Sequence, residues 1–437
     1  MNVIVWPRIH MIMPFPPALT PHSIMIRPCS LLCCCLLTIS LRAGDWPEFR
    51  GPTAQGIYAG KELPTEWQAG KNITWRKKIP GLGWSSPAVV EGRIYLTTAT
   101  PGTVSVSAQS LRALCLDAAT GNTIWNQEVF KQSADAPRIQ SKNSHASASP
   151  LVYAGKVYIH FGHQGSACLN AADGKVIWTS RQLHYAPVHG NGGSPVLVDG
   201  MLIFSCDGAS DPLVAGLDAA TGAVKWSKPR TWDSQKKFAF CTPLAIAVDD
   251  RKQVVLPGAG GVAAYDPSTG NEIWKVHYSG YSVVPRPAFA HGLVFVSTGF
   301  DSPSLLAIRV DGQGDVTRSH VAWTIKNGAP RNASPLVVGD ELYMVADSGL
   351  ASCLDAKSGK VHWQERLAGA YSASPLFAND MVYFLSEQGL TTVVKAAKQF
   401  EIVARNALSE KTLASCAAAD GALYLRTDQH LYRIEKK

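Results

Sequence analysis

One motif recurs five times in this chain at a single internal spacing. It consists of an aspartate or asparagine, a turn that ends in glycine four residues later, and a tryptophan eight residues after the start. The copies are CLDAATGNTIW (115–125), CLNAADGKVIW (168–178), GLDAATGAVKW (216–226), AYDPSTGNEIW (264–274) and CLDAKSGKVHW (353–363). Self-similarity at a fixed spacing indicates a repeat architecture, so this feature limits the possible folds more than any other.

Each copy predicts a β-hairpin. The carboxylate or amide can bond the backbone of the turn, and the glycine supplies the positive φ that the turn requires. The tryptophan then opens the next strand. A large aromatic residue once per repeat suits sheets that bury both faces against their neighbours, and a composition of 37 glycines, 27 prolines and 17% charged residues favours many short strands.

A second marker precedes the hairpins and sets the number of sheets. A proline, preceded by a small residue in six of the seven cases, opens an apolar, alternating segment at Pro87, Pro150, Pro195, Pro243, Pro287, Pro335 and Pro375. An eighth segment, 415–434, lacks a tryptophan, whereas the NITWRKK segment at 72–78 has one without a hairpin before it. We therefore predict an all-β, eight-bladed β-propeller of four-stranded antiparallel sheets, closed by pairing of the N-terminal strand with the C-terminal blade.

The first 44 residues have the features of an export signal. They contain no acidic residue, and Arg27 precedes the apolar run SLLCCCLLTISL (30–41), which is too short to cross a bilayer. We expect residues 1–44 to be a signal peptide, with 1–24 a mis-assigned start, residues 45–71 an extended segment and 72–437 the propeller. This predicts a periplasmic or extracellular protein. A lipid anchor at Cys33 is the alternative, although Leu32 stands where a small residue is expected.

Charge and cysteine usage exclude some functions. Three positive charges lie in the signal, which lowers the net charge from +8 to +5, and no block of lysine and arginine marks a nucleic-acid surface. Cys115, Cys168 and Cys353 occupy one equivalent position in three repeats, about 10 Å or more apart, which is too far for a disulfide. We therefore expect these cysteines to be buried small hydrophobes.

The DxxTGxxxW repeat resembles the pyrroloquinoline-quinone-like propeller repeat over residues 72–437. More narrowly, the segments 45–57, 143–150 and 190–196 resemble exported propellers abundant in planctomycete-type bacteria. Two characterised groups share this repeat. One comprises the quinone-dependent alcohol dehydrogenases, and the other is the propeller lipoprotein of the outer-membrane β-barrel assembly machinery, which has eight blades and no cofactor.

The resemblance to the dehydrogenases implies a quinone between a tryptophan floor and a disulfide of adjacent cysteines, with a calcium ion held by Glu, Asn and Asp. Residues 45–437 contain no adjacent cysteines and no long insertions that could cap a pocket. We therefore expect neither quinone nor calcium. Histidines 145, 160, 163, 184 and 189 are candidates for a metal site, but nothing in their spacing fixes a geometry, and no metal is predicted.

Loops that lead into the first strand of each blade open on one face of the ring, and they carry the candidate binding residues. These are Trp84, His145, His189, Asn191, Arg286, Arg331, Asn332 and Tyr371. Arg286 replaces the small residue found before the other prolines, so it would point into or beside the axial channel. The other interpretation is that these are ordinary loop residues at the channel mouth.

The sequence favours an exported, non-catalytic binding or scaffolding protein that acts in the cell envelope, including outer-membrane protein assembly. We expect a monomer that binds a protein or polysaccharide on one propeller face, because aromatic and guanidinium groups are frequent hot spots. The alternative is an enzyme, either quinone-dependent or with polar residues converging at the channel mouth.

Overall fold

The repeat folds as eight sheets arranged around an axis. The computed structural model describes residues 44–102 and 108–437; residues 1–43, which hold nearly all of the predicted signal peptide, lie outside the described residues. The first strand of each sheet contacts the first strands of neighbouring sheets and therefore lies innermost. The fold class predicted from the sequence, an eight-bladed all-β propeller, is confirmed.

Each blade has four antiparallel strands. Blade 1 comprises Ala88–Val90, Arg93–Pro101, Gln109–Asp117 and Thr123–Gln132, and blade 2 comprises Leu151–Tyr153, Lys156–His160, Ser166–Asn170 and Val176–Ser180. Blade 3 comprises Val196–Val198, Met201–Cys206, Leu213–Asp218 and Val224–Pro229, and blade 4 comprises Leu244–Val248, Arg251–Gly258, Gly261–Tyr265 and Glu272–His277. Blade 5 comprises Ala288–Ala290, Leu293–Ser297, Leu305–Arg309 and Val321–Ile325, and blade 6 comprises Leu336–Val338, Glu341–Val345, Leu350–Asp355 and Val361–Arg366. Blade 7 comprises Leu376–Ala378, Met381–Leu385, Leu390–Lys395 and Ile402–Ala407, and blade 8 comprises Ala417–Ala419, Ala422–Arg426, His430–Glu435 and the N-terminal strand Ile73–Lys78.

Two short strands and one helical turn complete the described secondary structure. Ile57–Tyr58 pairs in parallel with the first strand of blade 7, and Gly314–Asp315 pairs in parallel with the outer strand of blade 4. A 3₁₀ turn covers Gly162–Gln164. Within the described part of the chain, no helix is long and apolar enough to span a bilayer.

The turn of the motif forms as its residues predict. In blade 1 the Asp117 carboxylate accepts hydrogen bonds from the backbone N–H and the hydroxyl of Thr120, both at 2.8 Å, and Gly121 has φ of 70°. The outer strand begins at Thr123, two residues before the tryptophan, so the expectation that the tryptophan opens the strand was wrong by those two residues. The extra length extends the pairing of the third and fourth strands.

The tryptophans join neighbouring blades. The indole N–H of Trp125 donates to the Ala171 carbonyl in the next blade at 3.0 Å, and its ring covers Gly174. The indoles of Trp75, Trp178, Trp226, Trp323 and Trp363 make the same bond to the next turn. Trp274 bonds Gln253 of its own blade instead, because the turn of blade 5 is longer and forms Gly314–Asp315 beside it.

The two ends of the propeller meet in blade 8. Ile73–Lys78 pairs antiparallel with His430–Glu435, with Ile73 opposite Ile434 and Trp75 opposite Arg433. The predicted closure of the ring is therefore present. Pairing the chain ends leaves no sheet open where the ring would otherwise be interrupted.

The six cysteines within the described residues are free and buried. Burial raises the pKa of the Cys353 and Cys416 thiols to about 12. The interpretation of Cys115, Cys168 and Cys353 as small hydrophobes is confirmed, because each side chain lies within a core between blades rather than near another sulfur.

Residues 45–58 enter the axial channel from one side, and we call this segment the plug. Trp46 pairs antiparallel with Val89 of blade 1, whereas Ile57–Tyr58 runs parallel to the first strand of blade 7. The chain therefore reverses direction inside the channel. Each first strand begins at the face where the loops leading into it open, and it runs to the opposite face. The plug begins antiparallel to these strands, so it enters the channel from that opposite face and then turns back.

Two arginines hold the plug. Arg286 donates from Nε to the Pro243 carbonyl at 2.8 Å and from Nη1 to the Phe49 carbonyl at 2.6 Å, and its Nη2 lies 2.9 Å from a Glu48 carboxylate oxygen. Arg50 donates to two motif prolines, Pro335 at 2.9 Å and Pro375 at 3.4 Å. Burial, together with the nearby Arg286, lowers the pKa of Arg50 to about 9.

Candidate functional site

A funnel with a volume of about 880 Å³ opens on the face opposite the side from which the plug enters. All eight blades contribute to its lining, and Phe49 at the tip of the plug lies at its floor. The plug closes the narrow end, so the funnel is a blind pocket rather than a through-channel. Its volume lies within the range of sites that hold small ligands or a few side chains of a partner.

The floor is a ring of hydroxyl groups placed by the repeat. In six blades the hydroxyl residue before the motif proline, or before Cys416 in blade 8, accepts a hydrogen bond from the backbone N–H of the equivalent residue in the preceding blade, at 2.8–3.0 Å. These residues are Ser149, Ser194, Thr242, Ser334, Ser374 and Ser415. The hydroxyls that reach the funnel belong to Ser86, Ser149, Ser194, Thr242, Ser374 and Ser415. Because a hydroxyl that accepts one bond retains its O–H, this ring can donate to a ligand.

One wall of the funnel is a continuous arc of aromatic rings from blade 3 to blade 5. Phe238 contacts His189, Phe240 and Tyr281, with ring centroids 5.2, 6.0 and 5.5 Å apart. Tyr281 in turn contacts Phe300 at 5.9 Å. Phe300 is 45% exposed, so the arc ends in a large apolar side chain accessible from solvent.

Two cations cover rings of this arc. The Lys236 ammonium lies 3.9 Å from the Tyr281 ring centroid and donates to the Tyr281 hydroxyl at 2.6 Å, which raises the pKa of the lysine. The Arg331 guanidinium lies 4.9 Å from the Phe300 centroid. Cations placed over aromatic faces are attracted by the ring quadrupole.

The acidic groups near the funnel are already engaged. Asp347 accepts a hydrogen bond from the Arg331 backbone at 2.9 Å and another from the Asn332 side chain at 2.5 Å. Glu387 pairs with Lys142 at 2.8 Å. Lys142 lies in the connection between blades 1 and 2, so this ion pair reaches across part of the funnel mouth to blade 7.

The structure brings four of the eight predicted site residues together at the funnel: Trp84, His189, Arg331 and Asn332. His145 is half-buried and bonds Gln132 at 3.1 Å, and burial lowers its pKa. Asn191 is half-buried beside Tyr185, whose hydroxyl lies 3.5 Å from its side-chain oxygen. Neither of these two residues lines the funnel.

Arg286 and Tyr371 require correction, because neither is available at the rim. Arg286 does point along the axis, but it is fully buried beneath the plug, where it forms an ion pair with Glu48 and donates to the Phe49 carbonyl. The Tyr371 ring is fully buried, and its hydroxyl donates to the Ala368 carbonyl at 3.1 Å. Both side chains stabilise the ring instead of facing solvent.

Several funnel residues were missed, some because the prediction left out the loops between second and third strands, and others because they lie early in the long loops that lead into first strands. Loops that join second and third strands open on the same face, and they place Phe300 and Asp347 at the funnel. Lys236, Phe238 and Tyr281 lie on the long connections into blades 4 and 5. The KKFAF run at 236–240 is the local signal that could have indicated an aromatic and cationic wall.

The quinone and calcium implied by the dehydrogenase resemblance do not fit this funnel. Its floor is Phe49 and hydroxyl groups, and the cysteines of the described residues are buried in separate blades. Calcium needs six to eight oxygen ligands, usually including several carboxylates, whereas the lining contains one carboxylate, Asp347. Over residues 44–102 and 108–437, no group of three or more His, Cys, Asp or Glu side chains could hold a metal ion.

A protein-family model described as outer membrane protein assembly factor BamB matches residues 64–179, 112–313 and 309–399. These overlapping matches cover most of the chain. The chain belongs to this family. The matches cover blades 1 to 6, the first three strands of blade 7 and the N-terminal strand that closes blade 8.

Individual relatives are distant. The outer membrane protein assembly factor BamB of Shewanella oneidensis is 21% identical over 301 residues, which cover 66% of this chain and 62% of that protein. The dehydrogenase subunit of an alcohol dehydrogenase (quinone) from Gluconobacter oxydans is 24% identical over 286 residues, covering 62% of this chain and 34% of that protein. The chain thus spans less than two thirds of the length of these curated relatives.

The fold is also found among solved structures. The crystal structure of BamB from Moraxella catarrhalis superposes with a TM-score of 0.58 and 14% identity, and the match covers 84% of this chain and 97% of that one. At this identity the likeness concerns the fold alone.

Proposed function

We propose that this chain is an exported, non-catalytic scaffolding protein that acts in outer-membrane protein assembly and holds a protein partner on its funnel face. Membership of the BamB family supports the process, and the aromatic and cationic wall of the funnel supports the face. Binding energy concentrates on aromatic and arginine side chains near the centre of an interface, and Phe300 and Arg331 fit that description.

We place the protein in the periplasm as a monomer, exported by the signal at residues 1–44. The mild net charge gives no reason to expect nucleic acid as a partner. A polysaccharide is the alternative ligand. It is less well supported because a cation already covers one face of Tyr281 and one face of Phe300, which reduces the ring surface on which a sugar could stack.

Photocrosslinking in the native host tests the choice of face and process. The photoreactive residue p-benzoylphenylalanine would replace Phe300 at the funnel and, as the matched control, Tyr153. Tyr153 is 48% exposed and ends the first strand of blade 2, so it lies on the opposite face. We expect crosslinks from position 300 to a protein of the outer-membrane assembly machinery and none from position 153.

Crosslinks from position 153 alone, or from neither position, would overturn the proposal. A second assay tests catalysis, with dye-linked alcohol oxidation measured after addition of quinone and calcium. We expect no turnover. Turnover that is lost in Asp347→Asn, which removes the one carboxylate lining the funnel, would favour a dehydrogenase instead.

A further inference from the structure

The charge of the funnel is unbalanced in one direction. Lys236 and Arg331 have no carboxylate within 4.0 Å in the part of the chain that the structure describes, whereas Asp347 and Glu387 are both engaged by neighbouring donors. Asp347 is held by neutral donors, so the funnel lining carries two unpaired cations against one unpaired carboxylate and is net positive. Lys236 and Arg331 lie on the same wall, over adjacent rings of the aromatic arc.

The floor favours the same sign of ligand charge. Ser149, Ser194 and Thr242 each use their oxygen to accept a backbone N–H from the preceding blade. Their O–H groups remain as donors, and donors stabilise negatively charged atoms. Wall and floor together therefore select an anionic group.

The arrangement of the rings favours a peptide over a sugar or a flat cofactor. Lys236 covers one face of Tyr281 and Arg331 covers one face of Phe300, so on that side a ligand meets ring edges and the outer sides of the cations. Aromatic side chains pair well in edge-to-face geometry, and carboxylates bind ammonium and guanidinium groups directly. A segment that alternates acidic and aromatic side chains satisfies both requirements.

The protein already binds one segment of this kind in its own channel. The plug carries Glu48 next to Phe49, and Arg286 holds the carboxylate of the first and the carbonyl of the second. The plug also adds a short strand to blade 7. The ring thus holds the carboxylate of an acidic segment by an arginine at its axis, while the neighbouring Phe49 lines the funnel.

We propose that the funnel binds a short acidic peptide segment with aromatic side chains, whose carboxylates contact Lys236 and Arg331 and whose rings contact the edges of Phe238 and Phe300. This deepens the proposed function and rests on it, because it names the part of the partner that the funnel face recognises. The segment is extended, since the arc spans three neighbouring blades.

Fluorescence anisotropy of the full-length protein tests the proposal. The probe is a fluorescein-labelled peptide of repeated Gly-Glu-Phe units, with Gly-Lys-Phe and Gly-Glu-Ser peptides as matched probes. We expect only the Gly-Glu-Phe peptide to bind, with an affinity that falls as salt is added. Substitution of Lys236→Gln with Arg331→Gln should weaken binding about tenfold or more, because two charge-assisted contacts are removed.

The control variant, Lys175→Gln with Arg318→Gln, removes the same charge from exposed positions remote from the funnel and should bind like the unsubstituted protein. Equal loss in both variants, or equal binding of the glutamate and lysine peptides, would overturn the proposal. So would stronger binding of an acidic oligosaccharide than of the peptide. Crosslinking from position 300 without peptide binding would refute the ligand class alone and leave the assembly role standing.

Discussion

At the scale of single residues, the glycine that ends each turn has two separate functions. Gly222 has φ of 75°, and a β-carbon there would lie 2.5 Å from the Trp178 ring of the preceding blade. The left-handed backbone closes the turn, and the missing side chain makes room for the indole. The sequence motif therefore records a contact between blades as well as a turn.

Substitution of Gly222→Ala separates the two functions when it is compared with Gly200→Ala. Gly200 has φ of 77° in the same blade, but nothing lies within 4 Å of its added β-carbon. We expect Gly200→Ala to lower the free energy of unfolding by about 1 kcal/mol and Gly222→Ala by about 2–4 kcal/mol, since only the latter overpacks the interface. Urea titration measures the free energy of unfolding of both variants. Equal decreases would show that the Trp178 indole can move to accommodate the added methyl group without destabilising the interface.

A buried histidine gives the protein a predictable response to acid. His160 contacts Phe204 with ring centroids 4.2 Å apart, and its Nδ1 lies 2.8 Å from the Ser166 hydroxyl. Burial, and to a lesser extent His163, lowers its pKa to about 3. The unfolded chain therefore takes up a proton near pH 6.5 that the folded chain does not, so stability is lost as pH falls.

We expect His160→Gln to flatten this pH dependence. Between pH 7 and pH 5 the histidine should account for about 2 kcal/mol of the lost stability, because one proton is bound only by the unfolded state over most of that interval. Urea titrations at the two pH values measure the difference. His184→Gln, at an exposed position, is the control, and an unchanged pH dependence in His160→Gln would refute the assignment.

At the scale of elements, the hairpins could be predicted from the sequence and the plug could not. Each hairpin is specified by three residues within a nine-residue segment: an aspartate or asparagine that bonds the turn, a glycine and a tryptophan. The plug has no such period. Its partners Val89, Val152 and Pro375 lie between about 40 and 330 residues away, so nothing local indicates where it goes.

The candidate site was predicted in part for the same reason. Counting first strands gave the correct face and found Trp84 and Arg331, because strand direction fixes where a loop opens. It could not show that Arg286 turns away from that face. Two sequence features together could have predicted the buried position of Arg286. An arginine that replaces a hydroxyl residue at the axis needs an acidic partner, and Glu48 lies in the extended N-terminal segment, which has no strand pattern.

The bond between the plug and the ring is testable by a double-mutant cycle of Arg286→Met and Glu48→Gln. Arg286→Met leaves a carboxylate and two carbonyls unpaired, so we expect it to cost about 3–5 kcal/mol. The double variant should lose about 1–3 kcal/mol less than the sum of the single variants. Hydrogen exchange should rise at residues 45–58 before blade 2, and additive losses would mean that the two charges do not interact.

At the scale of the whole molecule, closure gives the interface between blades 8 and 1 the same tryptophan contact that joins other neighbouring blades. Trp75 lies on the last strand of blade 8 and donates to Ala118 of blade 1 at 3.1 Å, as Trp178 donates to Ala219 at 3.0 Å between blades 2 and 3. In an open stack an interface at the end of the chain would stabilise only its neighbours. In a closed ring its loss interrupts the whole array and exposes two sheet edges.

Trp75→Ala and Trp178→Ala should therefore cost similar amounts. Truncation of a buried tryptophan costs about 3–5 kcal/mol, and we expect Trp75→Ala to fall at the lower end because its ring is only partly buried. Both variants should unfold in urea in one transition, with hydrogen-exchange protection reduced in blade 4, opposite the closure, as well as in blade 8. If Trp75→Ala reduced protection in blades 8 and 1 alone, the blades would behave as a linear array, and pairing of the chain ends would not stabilise the remaining blades.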